Sequence, residues 1–219
     1  MFDYEIDLQN TFINLLKKDT SHDLILPEFN ARFGNVDIVS VDYFNENRLS
    51  VEQASILSSY QNSKVIGYLN KQAIRTFDFL LQHTGYTEST LKTILSKLIK
   101  NHLIIEVSDY RYLIDPEFEF PNLQLSSYEA KLKDWKRAII QANINKQFSN
   151  YSSIVLPLDL AIRLREQKSD IFSAYNIGLI GVNESFYNCL IKPKKESVAL
   201  KRNPSLISSI AKLEFVANN

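Results

Sequence analysis

Glu129 and Lys131 lie two residues apart in Ser126-Ser127-Tyr128-Glu129-Ala130-Lys131-Leu132, a run that reads as a strand leading straight into an amphipathic helix. Side chains two apart on a strand share a face, so a carboxylate and an ammonium stand side by side at the strand end. Such a pair suits a site that holds a divalent metal and activates water on a phosphodiester. Asp37 is the odd residue of Val36-Asp37-Ile38-Val39-Ser40-Val41-Asp42-Tyr43, a strand apolar almost throughout and therefore read as central. A lone carboxylate inside such a strand is expensive unless something pairs with it or coordinates it; Asp37 is read as a metal ligand, with a strand-end aspartate bonded to loop amides as the other reading. Glu5 shares the inward face of a first helix, about 3–18, with Leu8, Phe12, Leu15 and Leu16. Two readings of Glu5 stay open: an acid placed to suit the helix dipole, or one aimed into an acidic site.

The scaffold for these groups is a chain of 219 residues, 45% hydrophobic and 23% charged, enough for one large domain or two small ones around a proper core. Its formal net charge is zero, which argues against a protein that coats nucleic acid while leaving room for local basic patches. The longest apolar runs are too short to span a bilayer, and Met1-Phe2-Asp3-Tyr4-Glu5 shows no secretory pattern. One cysteine, Cys189, rules out an internal disulfide framework and suits a reducing cytoplasm; it is expected as a small core residue of a strand. Five glycines form neither a P-loop nor a dinucleotide fingerprint, and three scattered histidines make no zinc-ligand spacing.

Further strands are expected at 24–29, 152–157, 177–182 and 186–192, with a turn at Arg32-Phe33-Gly34-Asn35. Helices are expected at about 134–148, with Trp135, Ala138, Ile139 and Ala142 inward, at 158–173, and from Asn203-Pro204 onward. A basic run, Lys192, Lys194, Lys195, Lys201 and Arg202, precedes that last helix and reads as a solvated linker. Between the strand of Asp37 and that of Glu129 lies a separate module, about 48–116. Ser50 with Gln53 matches a capping box, Thr76 caps a short helix, His83-Thr84-Gly85-Tyr86 turns, and Thr87 caps a second helix. The second helix carries Leu91, Ile94, Leu95, Leu98 and Ile99 on one face, and a hairpin around Ser108-Asp109 follows.

Short helix, glycine turn, second helix and hairpin together resemble a winged helix-turn-helix. The resemblance makes 87–101 the recognition helix and the hairpin the wing, and it implies DNA contacts by Ser89, Thr90, Lys92, Thr93, Lys97, Lys100 and Arg111. Six basic residues (Lys64, Lys71, Arg75, Lys92, Lys97, Lys100) stand against two acids (Asp78, Glu88) between Gln61 and Asn101, as a phosphate-contacting face would have them. A module of this kind also docks proteins, and that reading stays open.

With the module removed, the order is helix, strand, turn, strand with Asp37, strand with Glu129-x-Lys131, helix, strand. This resembles the core of the PD-(D/E)XK, or restriction-endonuclease-like, nuclease superfamily. Val36 stands where the motif's name has proline, and about ninety residues separate Asp37 from Glu129, a gap the inserted module accounts for at little cost in closure entropy. The expected fold class is α/β with a mixed sheet: a discontinuous nuclease-like core, 1–47 and 117–219, and an inserted winged-helix domain, 48–116. The resemblance implies Mg²⁺ or Mn²⁺ held by Asp37, Glu129 and the Ala130 carbonyl, with Lys131 on the attacking water or the developing phosphorane charge. It makes Glu5 the extra acid that some members place on the first helix, and Gln141 the glutamine that some carry after the motif. The expected activity is metal-dependent DNA cleavage in the cytoplasm, with a homodimer by analogy. The competing expectations are a catalytically silent DNA-binding regulator, and a subunit of a defence or mobile-element complex that docks a protein through the winged helix.

Overall fold

A computed structural model describes residues 2–19, 22–31, 34–44, 47–197 and 203–217. In chain order the elements are α1 (Glu5–Asp19), β1 (Leu24–Ala31), β2 (Gly34–Tyr43), α2 (Val51–Ser58), α3 (Tyr60–Tyr68), β3 (Arg75–Thr76), α4 (Phe77–Thr84) and α5 (Glu88–Lys100). There follow β4 (Ile104–Ser108), β5 (Arg111–Ile114), β6 (Leu123–Ala130), α6 (Trp135–Asn145), β7 (Tyr151–Pro157), α7 (Leu158–Tyr175), β8 (Gly178–Val182), β9 (Tyr187–Ile191) and α8 (Pro204–Ala217). The architecture is mixed α/β and the chain divides into two compact units, Met1–Phe44 with Leu123–Val198, and Asn45–Asn122 with Ala199–Asn219.

The first unit is built on a six-stranded sheet in the order β1-β2-β6-β7-β8-β9. β1 with β2, β2 with β6, and β8 with β9 run antiparallel; β6 with β7 and β7 with β8 run parallel. Parallel neighbours need a crossover, and α6 and α7 supply the two. Alternation along β7 shows why both sheet faces are apolar. Val155 packs with Leu8, Phe12, Ile13 and Leu16 of α1, whereas Ile154 and Leu156 pack with Ala138, Ile139 and Ala142 of α6 and Ala161, Leu164 and Phe172 of α7. The helices thus cover opposite faces, and β2 is interior, as its run of Val36, Ile38, Val39 and Val41 requires. At Gly181 a Cβ would lie 2.8 Å from Leu158 Cδ1 and 3.1 Å from Ala161 Cβ, so glycine lets α7 close on β8.

In the second unit, β3, β5 and β4 make a three-stranded sheet in that order. α2, α4, α5 and both long strands share one core with Leu57, Leu80, Leu91, Leu98, Leu103 and Ile114 fully or nearly buried. Local signals hold where they were expected. Ser50 and Gln53 form the capping box of α2, Thr76 caps α4 and Thr87 caps α5, and Gly85 takes φ +68 at the end of α4.

Three expectations need amendment. The sequence pattern places 117–219 in the core, but α8 groups with the second unit, where Ile207 and Ala211 enter its core and Leu49 N donates to Glu214 Oε2 at 3.3 Å. An amphipathic helix behind a polar linker carries no mark of the core it joins. Cys189 is exposed on β9, the sheet's last strand, instead of buried. The helix opened by Ser50 and Gln53 is expected to resume or kink around 64–69; its interruption falls at Ser59 instead, with φ −71 and ψ 121. Arg32 and Phe33 of the expected turn, and Lys201 and Arg202 of the basic run, lie outside the described residues. Among the described residues, no helix is long and apolar enough to cross a membrane.

Candidate functional site

β2 and β6 pair Ile38 with Tyr128, and one further step of that register sets Asp37 opposite Glu129. Continued one step past its last pair, the register therefore brings together two acidic residues that the sequence separates by the whole intervening module. Lys131 lies just past β6, yet its backbone N still donates to Val155 O of β7 at 3.0 Å, which fixes the point from which its side chain departs.

The Lys131 ammonium is the hub of the cluster. It donates to Asp37 Oδ2 at 3.3 Å, to Ala130 O at 2.9 Å and to Glu5 Oε2 at 3.2 Å, which uses all three of its protons. Asp37 Oδ2 also accepts from Ala130 N at 2.8 Å. The Lys131 and Asp37 side chains are each 12% exposed and that of Glu5 is 46% exposed, so the cluster opens toward solvent on the side of α1. Burial works against the charged ammonium, but Asp37 and then Glu5 more than offset it and hold the Lys131 pKa above its usual value.

Glu129 is wholly buried. Its Oε1 accepts from Asn145 Nδ2 of α6 at 2.7 Å, while Oε2 has no hydrogen-bond partner. Burial first, and then the Asp37 carboxylate, push the Glu129 pKa up to about 7; Asn145 and Lys131 pull it down and Glu28 adds to the rise. Asn145 is itself held firmly. Its carbonyl accepts from Ser149 Oγ at 2.9 Å, and Ser149 Oγ lies 2.9 Å from Ser127 Oγ of β6, which donates to Ser152 Oγ of β7 at 3.1 Å. This buried polar chain locks the end of α6 to the two strands beneath it. Gln141 sits one helical turn before Asn145, with Oε1 buried and lacking a hydrogen-bond partner.

These donors fit a hard divalent cation. Two carboxylates and a backbone carbonyl are the ligand types such an ion takes, and a buried oxygen without a donor is what a missing positive charge would leave behind. Two features stand beside that fit. The Lys131 ammonium already bonds Asp37 Oδ2 and Ala130 O, and among the described residues no three acidic, histidine or cysteine side chains converge on one point.

The structure thus gathers Glu5, Asp37, Glu129, Ala130 and Lys131 into one cluster. Ser89, Lys92, Thr93, Lys97 and Lys100 are exposed on α5 of the second unit and Thr90 is half-buried, while Arg111 is exposed on β5. Lys92 is partly spent on Glu88, 3.3 Å away in the same helix, and lies over the Phe77 ring. Thr93, Lys97 and Lys100 also line a groove of about 800 Å³ together with Ser55, Gln61 and Asn62 of α2 and α3. The sequence reading missed Asn145. The available signal was a polar residue in phase with Ala138 and Ala142, at a position where a buried amide needs a partner.

Compared with known protein families, curated proteins and solved structures, the chain matches none.

Proposed function

We propose that this chain is a metal-dependent DNA endonuclease whose first unit is a restriction-endonuclease-like core and whose second unit is a winged helix that engages duplex DNA. The observation that carries the reading is the convergence of Glu5, Asp37 and the Ala130 carbonyl on the Lys131 ammonium, beside a buried Glu129 with one unpartnered oxygen. The element order α1-β1-β2-β6-α6-β7, with β6 parallel to β7 and antiparallel to β2, supports the core reading. The capped α4 and α5 with the β3-β5-β4 sheet support the winged helix.

Asp37, Glu129 and the Ala130 carbonyl would hold a Mg²⁺ or Mn²⁺ ion, which when bound supplies Lewis acidity at a phosphate oxygen and a water of lowered pKa. Lys131 stays protonated because its pKa is raised, so it acts as a donor and a positive charge. It orients the attacking water and balances the negative charge on the non-bridging phosphate oxygens as the new P–O bond forms and the bridging P–O bond breaks, the water's proton passing to solvent and the leaving alkoxide taking one from solvent. Glu5 and Asp37 hold Lys131 in place, and Asn145 holds Glu129. On the second unit, Lys97, Lys100 and Arg111 contact phosphates, while Ser89, Thr90 and Thr93 face the groove edge.

The test is cleavage of supercoiled plasmid with Mg²⁺ or Mn²⁺. Wild type should nick or linearise it, EDTA should stop the reaction, and Lys131→Ala and Asp37→Asn should each slow it at least about a hundredfold. Equal cleavage by wild type and Lys131→Ala, or none by either on supercoiled, linear and single-stranded substrates, sinks the proposal. One observation favours a second reading, a catalytically silent DNA binder: Lys131 satisfies Ala130 O and Asp37 Oδ2 without any ion. Gel shifts that persist in EDTA, with no cleavage under any metal, would select it.

A further inference from the structure

We propose that Glu28 of β1 is a further carboxylate of the candidate metal site, so that a divalent cation held there is bound by Glu28, directly or through a water, together with Asp37 and Glu129. The inference rests on reading the cluster as a cation site. It goes beyond the Asp and Glu-x-Lys residues that the sequence pattern offers.

Strand register places Glu28. β1 and β2 pair Pro27 with Ile38 and Phe29 with Val36, so Glu28 stands opposite Asp37, and the ladder skips this one pair. The β2–β6 register sets Asp37 opposite Glu129 in turn. Three acidic residues therefore hold register positions in a single row across three adjacent strands, although their side chains do not converge on one point. Residues directly opposite in antiparallel strands bring their Cβ atoms within about 5 Å, where like charges repel. One ammonium, that of Lys131, opposes the row, and its hydrogen bonds go to Asp37, Ala130 and Glu5.

A second observation points to a ligand. Glu129, at the inner end of the row, is wholly buried, and its Oε2 oxygen lacks a donor. An acid in that position is stabilised by a cation shared with its neighbours. The Glu28 backbone also takes φ +49 in mid-strand, with regular pairing resuming on both sides. A left-handed glutamate without a register shift is a backbone outlier located on the carboxylate row. No described residue hydrogen-bonds or pairs with the Glu28 carboxylate, which is exposed on the edge strand β1. Its side chain can therefore turn about its χ angles into the row when a cation is present.

The experiment is a titration of the full chain, stripped of nucleic acid and metal, with Mn²⁺ alone, following the free-ion EPR signal. Wild type should bind Mn²⁺. Glu28→Gln should weaken the affinity at least about tenfold. Glu28→Gly, which removes the carboxylate and suits a positive φ, should weaken it equally, so a folding defect in the first variant cannot decide the outcome. Glu117→Gln, on an exposed acid of the second unit, should bind as wild type does. Wild-type affinity in both Glu28 variants, with weakened binding in Asp37→Asn, overturns the role of Glu28 and leaves the cation site standing. No binding by the wild type overturns both.

Discussion

Burial, the Asp37 carboxylate and Glu28 together hold the Glu129 carboxyl up at about 7 from an ordinary 4.5, against the pull of Asn145 and Lys131. A pKa raised on folding means that the folded protein binds this proton more tightly than the unfolded chain does. The protonated carboxyl's contribution to stability is complete below about pH 4.5 and is lost as the pH rises through 7, a loss on the order of 3 kcal/mol. Glu129→Gln removes that loss. In EDTA the variant should match the wild type near pH 4.5 and exceed it by a few kcal/mol at pH 8, read from urea unfolding midpoints at both pH values. An equal difference at the two pH values would remove buried ionisation as the cause. Asp37, Glu129 and Lys131 were legible in the sequence because an acid in an apolar strand and a Glu-x-Lys pair are local patterns. Glu28 and Asn145 were not. The role of one needs the cross-strand register and a backbone dihedral, and that of the other needs the phase of α6 against β6.

α5 shows how much a single element declares in advance. Its cap at Thr87, its stripe of Leu91, Ile94, Leu95 and Leu98, and the turn at Gly85 each follow from residue type and spacing, and the structure has all three. The same periodicity sets Lys97 and Lys100 on the outward face. Among the described residues neither has an ion-pair partner, whereas Lys92 has Glu88. If this face contacts phosphates, Lys97→Ala with Lys100→Ala should weaken duplex DNA binding regardless of sequence. It should also lower the slope of log affinity against log salt by about 2, measured by fluorescence anisotropy over a salt series. An unchanged slope would move the nucleic-acid contact elsewhere. Two helix breaks are marked by neither proline nor glycine: Ser59 between α2 and α3, and Lys168, where α7 kinks at φ −141.

At the level of the whole molecule, the domain boundary was legible on one side only. The switch between strand and helix patterns marks a module at 48–116; the compact unit runs from 45 to 122 and also takes in α8, which no local pattern announces. Ile207 and Ala211 of α8 complete that unit's core, and Glu214, also buried, accepts from Leu49 N. Deleting 203–217 should therefore unseat the second unit, by roughly 2–5 kcal/mol for loss of the Ile207 side chain alone. Hydrogen exchange should show α4 and α5 losing protection while β6, β7 and β8 keep theirs. Loss of protection in both units alike would mean that they unfold together. The late position of α8 also has a consequence during synthesis. A ribosome making this chain completes β9, and with it every strand of the first unit, before it reaches α8. The helices from α2 to α5 leave the ribosome earlier but lack their closing partner for about a hundred residues of further translation, roughly 5–20 s at usual rates. Through that interval the nascent second unit presents an uncovered apolar surface, which makes it the part of the newborn chain that a chaperone would hold.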